Sequence, residues 1–433
     1  MRFGFLPVVL ALGGALEITG CSGDDNGGGS AGGSNGGAPT SAGASAGGVT
    51  SPAGAGNSAG AAPMGGASGA SGAATGGAAG SSGTGGGGSA AGGTGTGGGA
   101  GTGGSGGSGG MGASGGGGGG SGGWSCPPAS SFTGSPLPGA TAMATRIDGA
   151  PPADAFNNTG NNYTTVEGPV WIGDALYFSE MLTDNVPKAR ILKIAANDSV
   201  SEYIPDAGSN GLATDGAGNI VSANHKAHGI VRFSTADKAA TTLVATADGK
   251  PLNSPNDLVI AKSGTIYFTD PSYQNSANPQ GATRVYQFVP GQTEATAITD
   301  YTMQPNGIGL TLDEQTLLVG GKSGIKKYPI ANGAVAMTGT AFGPSEVTMS
   351  GVNTDGMTQD CAGNLYVAVA DSANIVVVKA DGTLLGTISS PSALVTNAAF
   401  GGADHQTLYI TGQGSGKNQG VFKVHLNIPG LPY

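Results

Sequence analysis

One pattern recurs six times between residues 167 and 426 and leaves few folds open to this chain. Each copy is an apolar run, a tight turn rich in Asp, Gly or Asn, and a second apolar run rich in Leu, Ile, Val and Tyr. The copies lie at 170–179, 212–222, 258–270, 310–320, 357–369 and 400–411. This is the signature of a β-hairpin. The first apolar residue after each turn is Leu176, Ile220, Ile266, Leu317, Leu365 and Leu408, in steps of 44, 46, 51, 48 and 43. A third apolar segment follows each hairpin, as at 190–194, 229–233 and 284–288. A fourth often follows, as at 202–204, 295–299 and 384–388.

Four strands in about 46 residues, six times over, predict an all-β, six-bladed β-propeller. A sandwich would not give near-equal steps. No segment of ten or more residues carries a helical period, which argues against an α/β fold. The core blades span about 167–426. The last blade lacks an outer strand of its own, and a segment at about 144–148 would supply it and close the ring.

The first quarter of the chain cannot join that domain. The 433 residues include 87 glycines, and 48 of these fall between Ser22 and Gly123. The rest of that window is almost all Ala, Ser and Thr, with no aromatic residue and no Lys or Arg. Such a segment cannot bury enough apolar surface to offset the entropy of ordering it. The glycines follow no three-residue period, so it is not collagen. Residues 22–123 therefore read as a disordered Gly/Ala/Ser-rich linker and 124–433 as the propeller. Ahead of them, Met1-Arg2, an apolar stretch and Ile18-Thr19-Gly20-Cys21 read as a signal peptide over 1–21. A small residue before Cys resembles the processing box of bacterial lipoproteins, in which the Cys is lipidated. The expectation is an exported protein, lipid-anchored at Cys21 to a bacterial membrane, with Ser22 pointing to the outer one; the alternative is a plain secretory signal with an incidental Cys. Its domain would stand in the periplasm or at the cell surface, and a monomer is assumed. A flexible coil of that length spans roughly 50–60 Å, enough to clear a bilayer.

Charge and cysteine narrow the partners. The net charge is −10 and no basic cluster exists, which disfavours nucleic acid. No apolar run beyond the N-terminus is long enough to span a bilayer, so membrane contact would come only through the lipid. Cys126 and Cys361 would meet an oxidising compartment, and either pair or remain two free thiols.

The repeats also align polar residues. About ten positions before each post-turn residue stand Glu167, Asn210, Asn256, Asn306, Asp355 and Asn397. In a propeller the first strand of each blade lines the central channel, so these six side chains would converge at one level. Two carboxylates and several amide oxygens, without His or Cys, suit a hard cation such as calcium, magnesium or manganese better than zinc. The alternative is that Asn and Asp recur because they open turns.

Glu167-Gly-Pro-Val-Trp171, Leu252-Asn-Ser-Pro-Asn-Asp-Leu-Val259, Tyr267-Phe-Thr-Asp-Pro-Ser-Tyr273, Pro305-Asn-Gly307 and Asp355-Gly-Met357 resemble the senescence-marker-protein/gluconolactonase/luciferin-regenerating-enzyme family. The resemblance runs in order from Glu167 to Thr411. It implies a six-bladed propeller with calcium or another divalent ion in the channel, held by Glu167, Asn306 and Asp355 with Asn256 near ion and substrate. It also implies Asp355 as the base and sugar-type lactones as substrates. Asn210 and Asn397 are not among the usual ligands of the family and would act through water or structurally. In animal members an Arg two residues before the middle Asn grips a sugar acid. Ser254 stands there in this chain, which leaves the ion site intact and opens the question of substrate.

His225, in a stretch similar to one in bacterial members, either reaches the pocket as an acid/base or orienting group or is a strand-end histidine bonded to backbone. Asp257 and Asp270 either support Asn256 or cap turns. The leading expectation is a metal-dependent lactone or ester hydrolase, with the cation polarising a carbonyl and a ring Asp activating water. Phosphotriester hydrolysis and a non-enzymatic, tethered ligand-binding propeller with a structural calcium remain the alternatives.

Overall fold

The computed structural model describes residues 125–139, 141–147, 163–181, 188–275, 277–349 and 351–431. The expected signal over 1–21, its Cys21, and the linker over 22–123 lie outside the described residues. Within them the repeats form six antiparallel sheets, the blades of a propeller. Blade 1 runs outward through Thr165–Ile172, Ala175–Met181, Ala189–Ile194 and Val200–Ile204. The innermost strands of the other five are Ser209–Thr214, Leu258–Ile260, Pro305–Leu310, Thr354–Gln359 and Leu394–Gly401.

Side-chain chemistry explains the hairpin turns. Asp215 Oδ1 accepts the amides of Ala217 and Asn219, each at 2.9 Å. Asp360 Oδ1 does the same for Ala362 at 3.0 Å and Asn364 at 2.9 Å. These Asx turns satisfy backbone donors that the strand ladders leave open.

The inner strands are buried on both faces, which is why they read as continuous apolar runs. One face packs on the preceding blade and the other on the following blade. Six separate hydrophobic clusters result, one for each blade interface. The interface between blades 6 and 1 carries Trp171 stacked on Tyr409, ring centroids 5.5 Å apart, so Trp171 closes the ring by packing.

The outer edge of blade 6 is Thr145–Arg146, antiparallel to Gly420–His425, with Thr145 opposite Lys423. The chain just before it does something the repeat pattern did not suggest. Thr141–Met143 lies parallel to Leu384–Ser389 on the edge of blade 5. The N-terminal segment thus spans two blades. Cys126 is bonded to Cys361, Cα–Cα 5.3 Å, beside the first turn of blade 5. Helix is confined to one four-residue α-turn, Ser345–Thr348, and two 3-10 turns among the described residues.

A cavity of about 840 Å³ occupies part of the central channel. It is lined by Leu212, Val259, Ile308, Leu310, Met357 and Phe400, and it opens toward the first turns of the blades and toward Cys126 and Pro127. Asp257 and Asn397 also line it.

Candidate functional site

Five of the six ring residues sit where their inner strand slips register, and the sixth, Asn256, lies just ahead of its strand Leu258–Ile260. The pairing breaks between Glu167 and Val170, Ser209 and Leu212, Pro305 and Ile308, Thr354 and Met357, and Val395 and Asn397. A bulge re-aims side chains and frees backbone groups, and such features gather at functional sites. The freed carbonyls find partners in the hydroxyls of second strands. Ser179 Oγ donates to Asn210 O at 2.6 Å, and Thr269 Oγ1 donates to Asn306 O at 2.6 Å, each across to the next blade.

Small residues let the bulges close on one another. A Cβ at Gly356 would overlap the Asn397 amide, and one at Gly307 would overlap the carbonyl of Asp355. The Gly211 amide donates to Asn256 O at 2.7 Å. The ring position of one blade therefore packs against that of the next, and the structure brings Glu167, Asn210, Asn256, Asn306, Asp355 and Asn397 to one level of the channel. All six are buried but keep between 2% and 9% exposure, as residues facing a channel do.

Asp257 joins them. It acts electrostatically on both Glu167 and Asp355. Burial pushes all three carboxyls above their ordinary range. For Glu167 the next causes are the charges of Asp355 and Asp257, and for Asp355 the charge of Asp257. Asp257 itself is pushed up to about 7 by burial, against the pull of the Leu258 amide, the Asn397 side chain and the Ile308 amide. No Lys or Arg is among the groups that act on any of the three. Buried carboxylates without a counter-charge are costly.

This donor set fits a hard divalent cation. The Asn306 side chain lies close enough to Asp355 and Tyr273 to favour the ionised form of each, and a carboxamide oxygen is the kind of ligand a hard cation takes. Oxygen-only donors and surplus negative charge are what calcium-type ions require. Among the described residues no group of three or more His, Cys, Asp or Glu is arranged to hold an ion by itself. The set here depends on carboxamide oxygens to complete it.

The remaining expected residues fall in different places. Asn397 is central, since its amide supports both Glu167 and Asp257. Asp270 is a brace: its carboxylate accepts the amides of Asn253 at 2.9 Å and Ser254 at 2.8 Å and so shapes the loop leading to Asn256. His225 stands apart from the carboxylates. It is buried, neither ring nitrogen has a partner among the described residues, and burial followed by His228 lowers it to about 4. Its backbone amide, not its ring, makes the bond to Gly208 O at 3.0 Å. Tyr273 and Asp371 were not among the expected site residues, yet Asp355 and Glu167 act on Tyr273, and Asp371 acts on Asp355. The Tyr-containing motif 267–273 was the only available signal.

Six blades around an axis of buried carboxylates and carboxamides define a propeller with a polar central site. The chain belongs to the SMP-30/gluconolactonase/LRE-like family, whose model matches residues 165–414. It is 29% identical over 273 residues to the gluconolactonase of Zymomonas mobilis subsp. mobilis, covering 57% of this chain and 75% of that one. Among solved structures it is 30% identical to a gluconolactonase from Xanthomonas campestris, covering 61% of this chain and 87% of that one with a TM-score of 0.51. It shares its fold with regucalcin, a calcium-binding protein from Agrobacterium tumefaciens, at 17% identity and a TM-score of 0.54, covering 68% of this chain and 96% of that one.

Proposed function

We propose that this protein is a metal-dependent lactonase acting on a sugar-type lactone. The observation that carries the reading is the trio Glu167, Asp257 and Asp355, buried together without a cationic partner beside amide oxygens. Similarity to two gluconolactonases supports the reaction class.

Glu167, Asn306 and Asp355 would hold the cation, with Asn256 beside it. Calcium is the ion that the oxygen donors favour, with magnesium or manganese as alternatives. A cation there supplies a Lewis acid that polarises the lactone carbonyl and stabilises the negative charge developing on its oxygen. Asp355 accepts a proton from the attacking water. It returns that proton to the ring oxygen as the C–O bond breaks, giving the hydroxy acid. Asn397 and Asn306 keep the carboxylates oriented by donating to them. Carboxylates are weak bases, which suits a strained or activated ester better than an amide.

The test assays the purified chain against gluconolactone and a phosphotriester, with and without EDTA. The expected result is lactone hydrolysis that EDTA abolishes and calcium restores. Turnover of the phosphotriester alone would replace this reading with the second enzymatic one. Calcium binding without any turnover would make the protein a binding module.

We also propose export and lipid anchoring at Cys21, on the strength of the apolar N-terminus and the Gly20-Cys21 pair. Radiolabelled palmitate should enter the wild-type protein and be absent from Cys21→Ser. Equal labelling would end the proposal.

A further inference from the structure

The loop that follows the second strand of blade 3 brings Tyr273, within residues 271–275, beside the ring. It is held from two sides. From blade 3, Ser254, fully buried, donates its hydroxyl to Pro271 O at 3.0 Å and accepts from the Gln274 amide at 3.4 Å. From blade 4, Gln304 Oε1 accepts the Ser272 amide at 3.2 Å, and Gln304 Nε2 donates to Ser272 Oγ at 3.1 Å. Gln304 adopts φ 49°, a left-handed conformation that costs a non-glycine residue on the order of 1 kcal/mol. It stands directly before Pro305-Asn306. Strain held at this point, beside a ring residue, marks a segment whose position matters.

The clamp sets the place of Tyr273. Its hydroxyl lies in the field of Asp355 and Glu167, near the side chain of Asn306. It donates to Gln304 O at 3.3 Å. That is long for an O–H···O bond, which prefers about 2.7–2.8 Å. The donor is only loosely engaged and can turn to a stronger acceptor. Glu167 and Asp355 act on it directly, and Asp257 and Asp371 act on Asp355, which makes the site acidic. Ser254 spends its one hydroxyl donor on the loop and has none left for a ligand.

We infer that Tyr273 is a substrate-binding residue of this site: its hydroxyl donates to an oxygen of a neutral, polyhydroxylated lactone, and the acidic surroundings disfavour lactones that carry their own carboxylate. This deepens the lactonase reading and rests on it. Ser254 and Gln304 are positioning residues that act through the loop. A neutral donor beside the ring contributes to binding more than to the bond-breaking step, so its loss belongs in KM.

The experiment compares the wild-type chain with Tyr273→Phe, both loaded with calcium, on gluconolactone and on a lactone bearing a carboxylate. Tyr273→Phe is expected to raise KM for gluconolactone about fivefold to tenfold, with kcat changed less than about twofold. Calcium affinity by calorimetry and the melting temperature should not move. The wild type should prefer the neutral lactone. An unchanged KM overturns the inference. So does a rise in KM accompanied by losses of calcium affinity and melting temperature, because the ring would then be merely propping the fold. If the wild type hydrolyses neither lactone, the lactonase reading has failed, and calorimetric binding of the neutral, unhydrolysed gluconolactone judges Tyr273 separately. Weaker gluconolactone binding by Tyr273→Phe supports its assignment, and equal binding overturns it.

Discussion

Freed of divalent cations, the protein is expected to melt about 5 °C lower at pH 8 than at pH 5.5. The cause is the carboxyl trio at the ring. Asp257 has an ordinary value of 3.8 and is lifted to about 7 in the fold. Between those values the native state keeps a proton that the unfolded chain has released. Stability from this group is therefore complete below about pH 4 and is lost as pH rises through about 7. Each pKa unit is worth about 1.4 kcal/mol, so between pH 5.5 and pH 8 Asp257 alone contributes a loss on the order of 2 kcal/mol. At 2–4 °C per kcal/mol for a large domain, the stated drop follows. Glu167 and Asp355 are shifted in the same direction and add to it. Saturating calcium should flatten the dependence, because a bound cation favours the ionised carboxylates and stabilises the native state by mass action. Scanning calorimetry at both pH values, with EDTA or calcium, checks this. A cation-free melting temperature that is flat or rises toward pH 8 would contradict the account of the ring.

Asp355→Asn is expected to move activity and stability in opposite directions. Removing the base should lower kcat about 10³-fold. The same change removes a charge that Asp257 opposes in a buried site. The cation-free variant should therefore melt several degrees above the cation-free wild type at pH 8, while calcium should stabilise it less. Function here is maintained at a cost in stability. A variant that loses activity and also melts lower without cations would show that Asp355 braces the fold instead.

The near-equal hairpin steps made the blades legible, because each blade is a local unit and its turns are fixed by neighbours such as Asp215 and Asn219. The same spacing located Glu167, Asn210, Asn256, Asn306, Asp355 and Asn397, since equivalent positions of equivalent strands must face one axis. What the spacing could not convey depends on contacts between blades. Asp257 occupies the position that is Gly in four of the other five repeats, and its carboxylate fills the space left by Gly211. Tyr273 lies on an irregular loop whose course is decided by Ser254 and Gln304, 19 and 31 residues away. No local propensity encodes that. The parallel placement of Thr141–Met143 on blade 5 was equally hidden, because three residues with one buried side chain carry no periodic signal.

The disulfide at Cys126 precedes Thr141–Met143 and Thr145–Arg146 along the chain. Any pull arriving from the N-terminal side meets it first and passes through a covalent bond into Cys361 of blade 5. The two edge strands lie behind that junction and carry no load while it is intact. The joint between blades 6 and 1, where the two ends of the propeller meet, is shielded from traction in the same way. Reduction would reroute the force, first into the parallel strand on blade 5 and then into blade 6, whose outer strand would be next to peel.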